Sequence, residues 1–179
     1  MTRLSPVLTA RDLPLAELRA MQLDGQLVAV DEAFAPVDQP PSPTQRAASV
    51  SMYCQERLIA EQRTAAWIWG ASLDPPLRHE LCVSIGARAR TTHPGRLQVR
   101  EVVIAPDEIA TLGVVRVTTP MRTVMDLARF QSAFDPELIS ALLRVSNLTA
   151  DRCVAELRSR HNLPQKKLAV RRLEALTPN

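Results

Sequence analysis

Glycine is scarce. The 179 residues hold five, scattered singly, so no glycine-rich loop is present to cradle a phosphate. Lysine is scarcer: Lys166 and Lys167 are the only two, and Pro164 and Gln165 stand two residues before them. Restriction-type nuclease chemistry wants an acid at that spacing, so that metal-dependent reaction is excluded. No Gly-Ser dipeptide with paired aspartates occurs, which removes nucleotidyl transfer. Cysteine appears three times, at Cys54, Cys82 and Cys153, with no CxxC or CxH pair; a zinc site is unsupported and an odd count argues against a disulfide framework. The three thiols read as buried and free. Aromatic residues make up 3% of the chain, so the core must be aliphatic. No apolar run approaches the roughly 18–20 residues that span a bilayer. The opening MTRLSPVLTARDL lacks the apolar stretch of a secretory signal, and the chain reads as cytoplasmic. His79, His93 and His161 lie in or beside expected turns, outside any Ser or Cys motif, so no nucleophile triad is expected. The sequence therefore reads as no enzyme, with no cofactor and no metal.

Charge is present but uneven. Residues 1–40 carry three arginines against six acids, and from Arg144 onward eight basic residues face three acidic ones. That basic end (Arg158, Arg160, Lys166, Lys167, Arg171, Arg172) suits phosphates or an acidic partner surface, and equally a solvated helical face.

The first stretch, VLTARDLPLAELRAMQLDGQLVAVDEAFAPVD, divides into a helical turn capped by Thr9, a helix opening near Pro14 and closing at Gly25, and two short strands joined at Asp31-Glu32. Helix, turn, helix and a two-stranded ribbon spell a winged helix-turn-helix over residues 1–38, whose second helix would enter a DNA groove. Residues 39–43, rich in proline, form a stiff linker. Residues 44–179 make a larger domain, a small β-sheet packed with helices and ending in a helical C-terminus. The fold class is α+β.

Within that domain, residues 44–70 read as largely helical, as one helix or two. Trp67 and Trp69 near its end are either a platform for stacked bases or a helix end wedged into the core, and the second is favoured because indoles bury area. ELCVSI, LQVREVVI and LGVVRVT are strand-like. The basic GARARTTHPGR between the first two, with Arg88, Arg90 and Arg96, reads as a hairpin loop, either gripping phosphates or simply exposed. VTTPMRTVMDLARF joins a strand to a helix capped by Thr118 or Thr119, with Pro120 in its first turn. Met121, Val124, Met125 and Ala128 recur at helical spacing and are expected to face the sheet. Arg122, Asp126 and Arg129 form one stripe. An exposed i,i+4 pair contributes about 0.2–0.5 kcal/mol, whereas a covered one costs far more to break. With Thr119, the pair Arg122–Asp126 is read as structural. ELISALLRV, TADRCVAELRSRH and LPQKKLAVRRLEAL give three more amphipathic helices.

LPLAELRAMQLDGQLVAV, RTAAWIWG and VRVTTPMRTVMDLAR, in that order and spacing, resemble the AbiEi-type antitoxins of bacterial type IV, abortive-infection toxin–antitoxin systems. The resemblance spans roughly residues 5 to 175. It implies a DNA-binding transcriptional autorepressor of a toxin–antitoxin operon that counters a nucleotidyltransferase-type toxin, with operator DNA, that toxin and a homodimer as partners and no membrane. Arg3, Thr9, Arg11, Arg19, Gln22, Arg88, Arg90 and Arg96 are the residues placed to meet DNA on this reading. Relatives have a basic recognition helix and wing; here Glu17 and an Asp31-Glu32 tip stand in them, so the basic C-terminal helices are expected to supply the missing charge. The alternative is a toxin-binding module with a degenerate winged helix and little DNA affinity.

Overall fold

The computed structural model describes residues 6–38, 40–54, 57–87, 95–130 and 134–176. Near the start of the described residues, Leu8 bridges Phe34 through paired backbone hydrogen bonds of 2.8 Å. A helical turn over Thr9–Leu13 follows, closed by the Asp12 and Leu13 N–H groups on the Thr9 carbonyl. Helix α1 (Leu15–Leu23) comes next and stops where Gly25 takes a left-handed φ of 71°. Strands β1 (Leu27–Val30) and β2 (Ala33–Pro36) pair antiparallel about the Asp31-Glu32 turn.

Helix α2 (Pro43–Ser49) is fixed at its start by a capping box between Ser42 and Gln45. A two-residue strand, β3 (Ile59–Ala60), separates it from α3 (Gln62–Ile68), so the largely helical stretch is two helices with a strand between them. Then follow β4 (His79–Ser84), β5 (Leu97–Val102), a 3-10 turn (Pro106–Glu108), β6 (Ile109–Leu112) and β7 (Val115–Thr118). Helices α4 (Pro120–Phe130), α5 (Pro136–Val145), α6 (Ala150–Ser159) and α7 (Lys166–Glu174) complete the chain.

The five-stranded sheet runs β5-β4-β3-β7-β6 and is mixed. Strands β4 and β5 are parallel, His79 opposite Leu97, so their connection is a crossover and no hairpin. Nearest-neighbour strands separated by a polar loop look alike in sequence whichever way the second one runs. His79 stands beside a bend, as expected, but it opens β4 and is fully buried.

Strand alternation divides the sheet into two faces. Ala60, Leu81, Val83 and Val117 point into a core shared with Val50, Tyr53, Trp67 and Ile68, and with Val30, Ala33 and Ala35 of the hairpin. Ile59, Cys82 and Val102 point the other way. A second core holds the helical layer: Val124, Met125, Leu127 and Ala128 of α4 pack on Ile139, Leu142, Cys153, Leu157, Ala169 and Leu173. The apolar face of α4 thus meets α3, α5, α6 and α7, and not the sheet as its spacing suggested. Its charged stripe takes the sheet side, because Arg100 and Glu61 there offer partners that a hydrocarbon face cannot. Trp67 is buried, and its indole N–H donates to the Leu73 carbonyl; half-buried Trp69 donates to that of Thr118. A small third cluster, Leu18 with Leu27 and Phe34, fixes α1 to the hairpin. No helix of the described residues is long and apolar enough to cross a membrane.

Candidate functional site

Two groups of polar residues stand out: a buried ionic network beneath α4, and the surface around α1.

The network starts at Asp126, whose carboxylate is 1% exposed. Arg122 donates to it at 2.8 Å, Arg129 at 3.1 Å, and Arg100 of β5 approaches to 3.5 Å. Arg100 also grips Glu61 with two bonds of 2.6 Å, the bidentate fork that a guanidinium makes best. Arg122 reaches on to Glu108 at 2.6 Å and to the Val103 carbonyl at 3.2 Å. Glu108 is shared with Arg160, which also pairs with Glu156 at 2.9 Å. The Arg100 and Arg129 guanidiniums each lie over the Phe130 ring, 4.4 and 4.3 Å from its centroid. Four arginines meet four carboxylates, so the charges cancel. Thr119 holds the start of α4: its hydroxyl accepts from the Arg122 N–H at 3.4 Å and its carbonyl from Thr123 at 2.8 Å.

Two carboxyls of this network are displaced in opposite senses. Burial pushes Glu61 above the ordinary carboxylate range, and Arg100 offsets that only in part. Burial would raise Glu108 too, but the Ala105 N–H, Arg160 and Arg122 together hold it below that range. The unfolded chain therefore binds a proton at Glu108 before the folded chain does. The stability Glu108 contributes is present above the ordinary carboxylate pKa and is lost as pH falls through its depressed folded value. Glu108→Gln is expected to flatten the acid limb of the stability curve. The wild-type loss in urea midpoint between neutral pH and pH of about 3 should exceed the variant's; equal losses would remove Glu108 from the acid response.

A cleft of about 450 Å³ borders the network, lined by Thr119, Arg122, Arg152, Glu156 and Arg160 among others. Asp107, Glu108 and Glu156 line it as well, so its three arginines face three carboxylates in formal charge. The thiols are poor nucleophiles: burial pushes Cys54 up to about 12 and Cys153 to about 11, and raises Cys82 as well. Among the described residues no group of three His, Cys, Asp or Glu is placed to hold a metal ion.

Around α1, the Thr9 N–H and hydroxyl both donate to Asp12, at 2.8 and 2.9 Å. Arg11 is exposed. Arg19 donates to Gln22 at 2.8 Å and lies 5.2 Å from the Phe34 ring centroid. Arg96 does not stand free: it bonds Asp31 at 2.5 Å, Glu32 at 3.3 Å and the Leu77 carbonyl at 2.8 Å. Arg3, Arg88 and Arg90 lie outside the described residues. Of the C-terminal cations, Arg158 pairs with Glu174 at 2.6 Å, Arg160 belongs to the network, Lys166 donates to the Arg160 carbonyl, and Arg172 donates to that of Ala128. Lys167 and Arg171 are exposed on α7. The C-terminal helices and the hairpin are anchored in different cores. Sequence reasoning identified Arg122, Asp126 and Arg129 by spacing but missed Glu61, Arg100, Glu108 and Arg160 as members of the same network; in LQVREV, Arg100 stands beside Glu101 and two places after Gln98, so nothing local singles it out.

Fold and network together define an α+β protein whose buried charges are spent on one another and whose first helix is turned outward. The chain belongs to the family of the AbiEi antitoxin C-terminal domain, which matches residues 58–174. It is thus an AbiEi-type antitoxin, a class that works with a toxin partner. In fold it is similar to the crystal structure of the RV2827C protein from Mycobacterium tuberculosis, at 16% identity and a TM-score of 0.50, over 95% of this chain and 70% of that one. No curated protein matches it significantly.

Proposed function

We propose that this antitoxin represses its own operon by placing α1 in the groove of operator DNA, and that it counters a toxin of nucleotidyltransferase type. The observation that carries the DNA half is the outward presentation of α1. Leu18 alone of its residues is buried, while Ala16, Glu17, Arg19 and Ala20 face solvent and Leu23 is 89% exposed. A helical turn before it and a hairpin after it, tied back by Leu8, match the order of a winged helix-turn-helix. On this reading residues 1–38 are the reading unit, 39–43 its connection and 44–179 the antitoxin body. Thr9, Arg11, Arg19 and Gln22 meet the DNA, with Arg3, Arg88 and Arg90 as further phosphate contacts. Two copies on an inverted repeat would double every contact.

A second reading draws support from charge. Residues 6–38 hold two arginines against six acids, and phosphate neutralisation dominates protein–DNA affinity. A unit so acidic suits a protein partner better than DNA, and the exposed Lys167 and Arg171 of α7 offer a further contact for that partner. A promoter–reporter fusion in cells, with and without the antitoxin and its neighbouring toxin gene, separates the two. Autorepression predicts a reporter silenced by the antitoxin alone and released by Arg19→Ala. A reporter indifferent to the antitoxin, with growth still rescued from the toxin, supports the second reading.

A further inference from the structure

The hairpin tip is where a wing should meet DNA, and here the carboxylate of Asp31, its first residue, is turned inward and buried while Glu32 stays exposed. Asp31 sits at the turn with a φ of 53°, a region disfavoured for residues bearing a Cβ but tolerated by Asp and Asn. Its carboxylate is only 1% exposed. One oxygen accepts from His79 Nε2 at 3.0 Å and the other from Arg96 at 2.5 Å. A carboxylate only accepts, so Nε2 carries the imidazole proton and Nδ1 faces the Thr64 hydroxyl at 3.5 Å. Tyr53 and Trp67 wall the socket, their ring centroids 5.4 and 6.4 Å from that of His79. A backbone strain held by so many partners on other elements marks a position with a task.

We infer that Asp31 is a positioning residue for operator reading: it pins the hairpin to the sheet through His79 and Arg96, and the tip itself does not touch DNA. This rests on the DNA-binding reading above. Helix α1 packs on the same hairpin through Leu18, Leu27 and Phe34, so the clasp fixes the angle at which α1 leaves the body. A reading helix already held in place gives up little freedom on binding, and this advantage applies to the specific complex, which needs one orientation. Loose, sequence-independent binding to phosphates does not need it. The clasp also accounts for acids at the tip. Facing phosphates, they would repel; facing Arg96 and His79, they hold.

The test is an anisotropy titration of the full chain against its promoter duplex and a scrambled duplex of equal length, across a range of KCl. Asp31→Asn keeps the left-handed turn and removes the charge. The expected result is promoter binding weakened on the order of tenfold, with scrambled-duplex affinity and the salt slope unchanged, and loss of the protected His79 Nε2–H proton signal in NMR. Glu32→Gln, at the exposed rim, should change promoter binding by less than about twofold. Arg96→Gln opens the clasp from the sheet side and must reproduce the Asp31→Asn pattern, also should Asp31→Asn prove too unstable to assay. Tighter binding of Asp31→Asn to both duplexes with a steeper salt slope would put the tip against phosphates and overturn the inference. Unchanged promoter binding, or an Arg96→Gln protein that reads the promoter like wild type, would overturn it too. A wild-type chain that binds neither duplex sinks the DNA reading instead, whereas an unprotected His79 proton in that same protein sinks the clasp.

Discussion

Replacing Asp126 with alanine should cost about 3–5 kcal/mol, the penalty for leaving buried charges without their counter-ion. Three guanidiniums, Arg100, Arg122 and Arg129, converge on this one carboxylate, and two of them, Arg122 and Arg129, are nearly inaccessible to water. Without it, Arg122 keeps Glu108 and Arg100 keeps Glu61, but among the described residues Arg129 is left with the Pro164 carbonyl and the Phe130 ring and no carboxylate. Against a typical total of about 5–15 kcal/mol, such a loss removes a large part of the chain's stability. A urea titration reads it as a lowered midpoint at constant slope. Arg158→Ala supplies the internal control. Its pair with Glu174 is exposed on both sides, so the change should stay within about 1 kcal/mol. If Asp126→Ala were as mild as Arg158→Ala, the network would be ornament on a fold held by its two aliphatic cores.

The second large effect is expected at Leu18. It is the buried anchor of α1, in a cluster where, among the described residues, Leu27 and Phe34 are its buried partners and Leu8, Leu13 and Met21 lie at the edge. Leu→Ala in a core costs about 2–5 kcal/mol. Here that cost falls on a unit with few other contacts, so α1 should open locally while the rest stays folded. Leu18→Ala is expected to weaken promoter binding by about 100-fold, since about 2.8 kcal/mol spent on re-docking the helix corresponds to two factors of ten. Hydrogen exchange should show α1 amides losing protection and those of β4 and α4 keeping theirs. Full promoter affinity with an unprotected α1 would show that the helix does not read DNA.

Much of this architecture was legible in the sequence, and the reasons are local. VTTPMRTVMDLARF displays its cap, its proline and its helical spacing within fourteen residues, and α4 forms there. Helices α5, α6 and α7 and the β1–β2 hairpin follow from similarly short-range signals. What escaped depends on distance. Strand β3 is two residues long and has no periodicity to detect. The parallel pairing of β4 and β5 is set by the sheet as a whole. The side chain of Asp31 reads as a solvated turn residue until His79 and Arg96, 48 and 65 residues away, close on it. The stripe Arg122–Asp126–Arg129 showed a charge pattern, but whether it was exposed or covered hung on Glu61, Arg100, Glu108 and Arg160, none of them near it in a way spacing reveals.

The direct test of the central claim, that α1 carries operator recognition, is the affinity of the full chain for its promoter duplex measured as a function of salt. Autorepression through α1 requires log K to fall linearly with log[KCl], and Arg11→Ala and Arg19→Ala each to weaken binding and to reduce that slope by about one where the arginine meets a phosphate. A flat salt response, or binding at low salt that neither substitution disturbs, would contradict it and leave the chain as an antitoxin that acts on its toxin by contact alone.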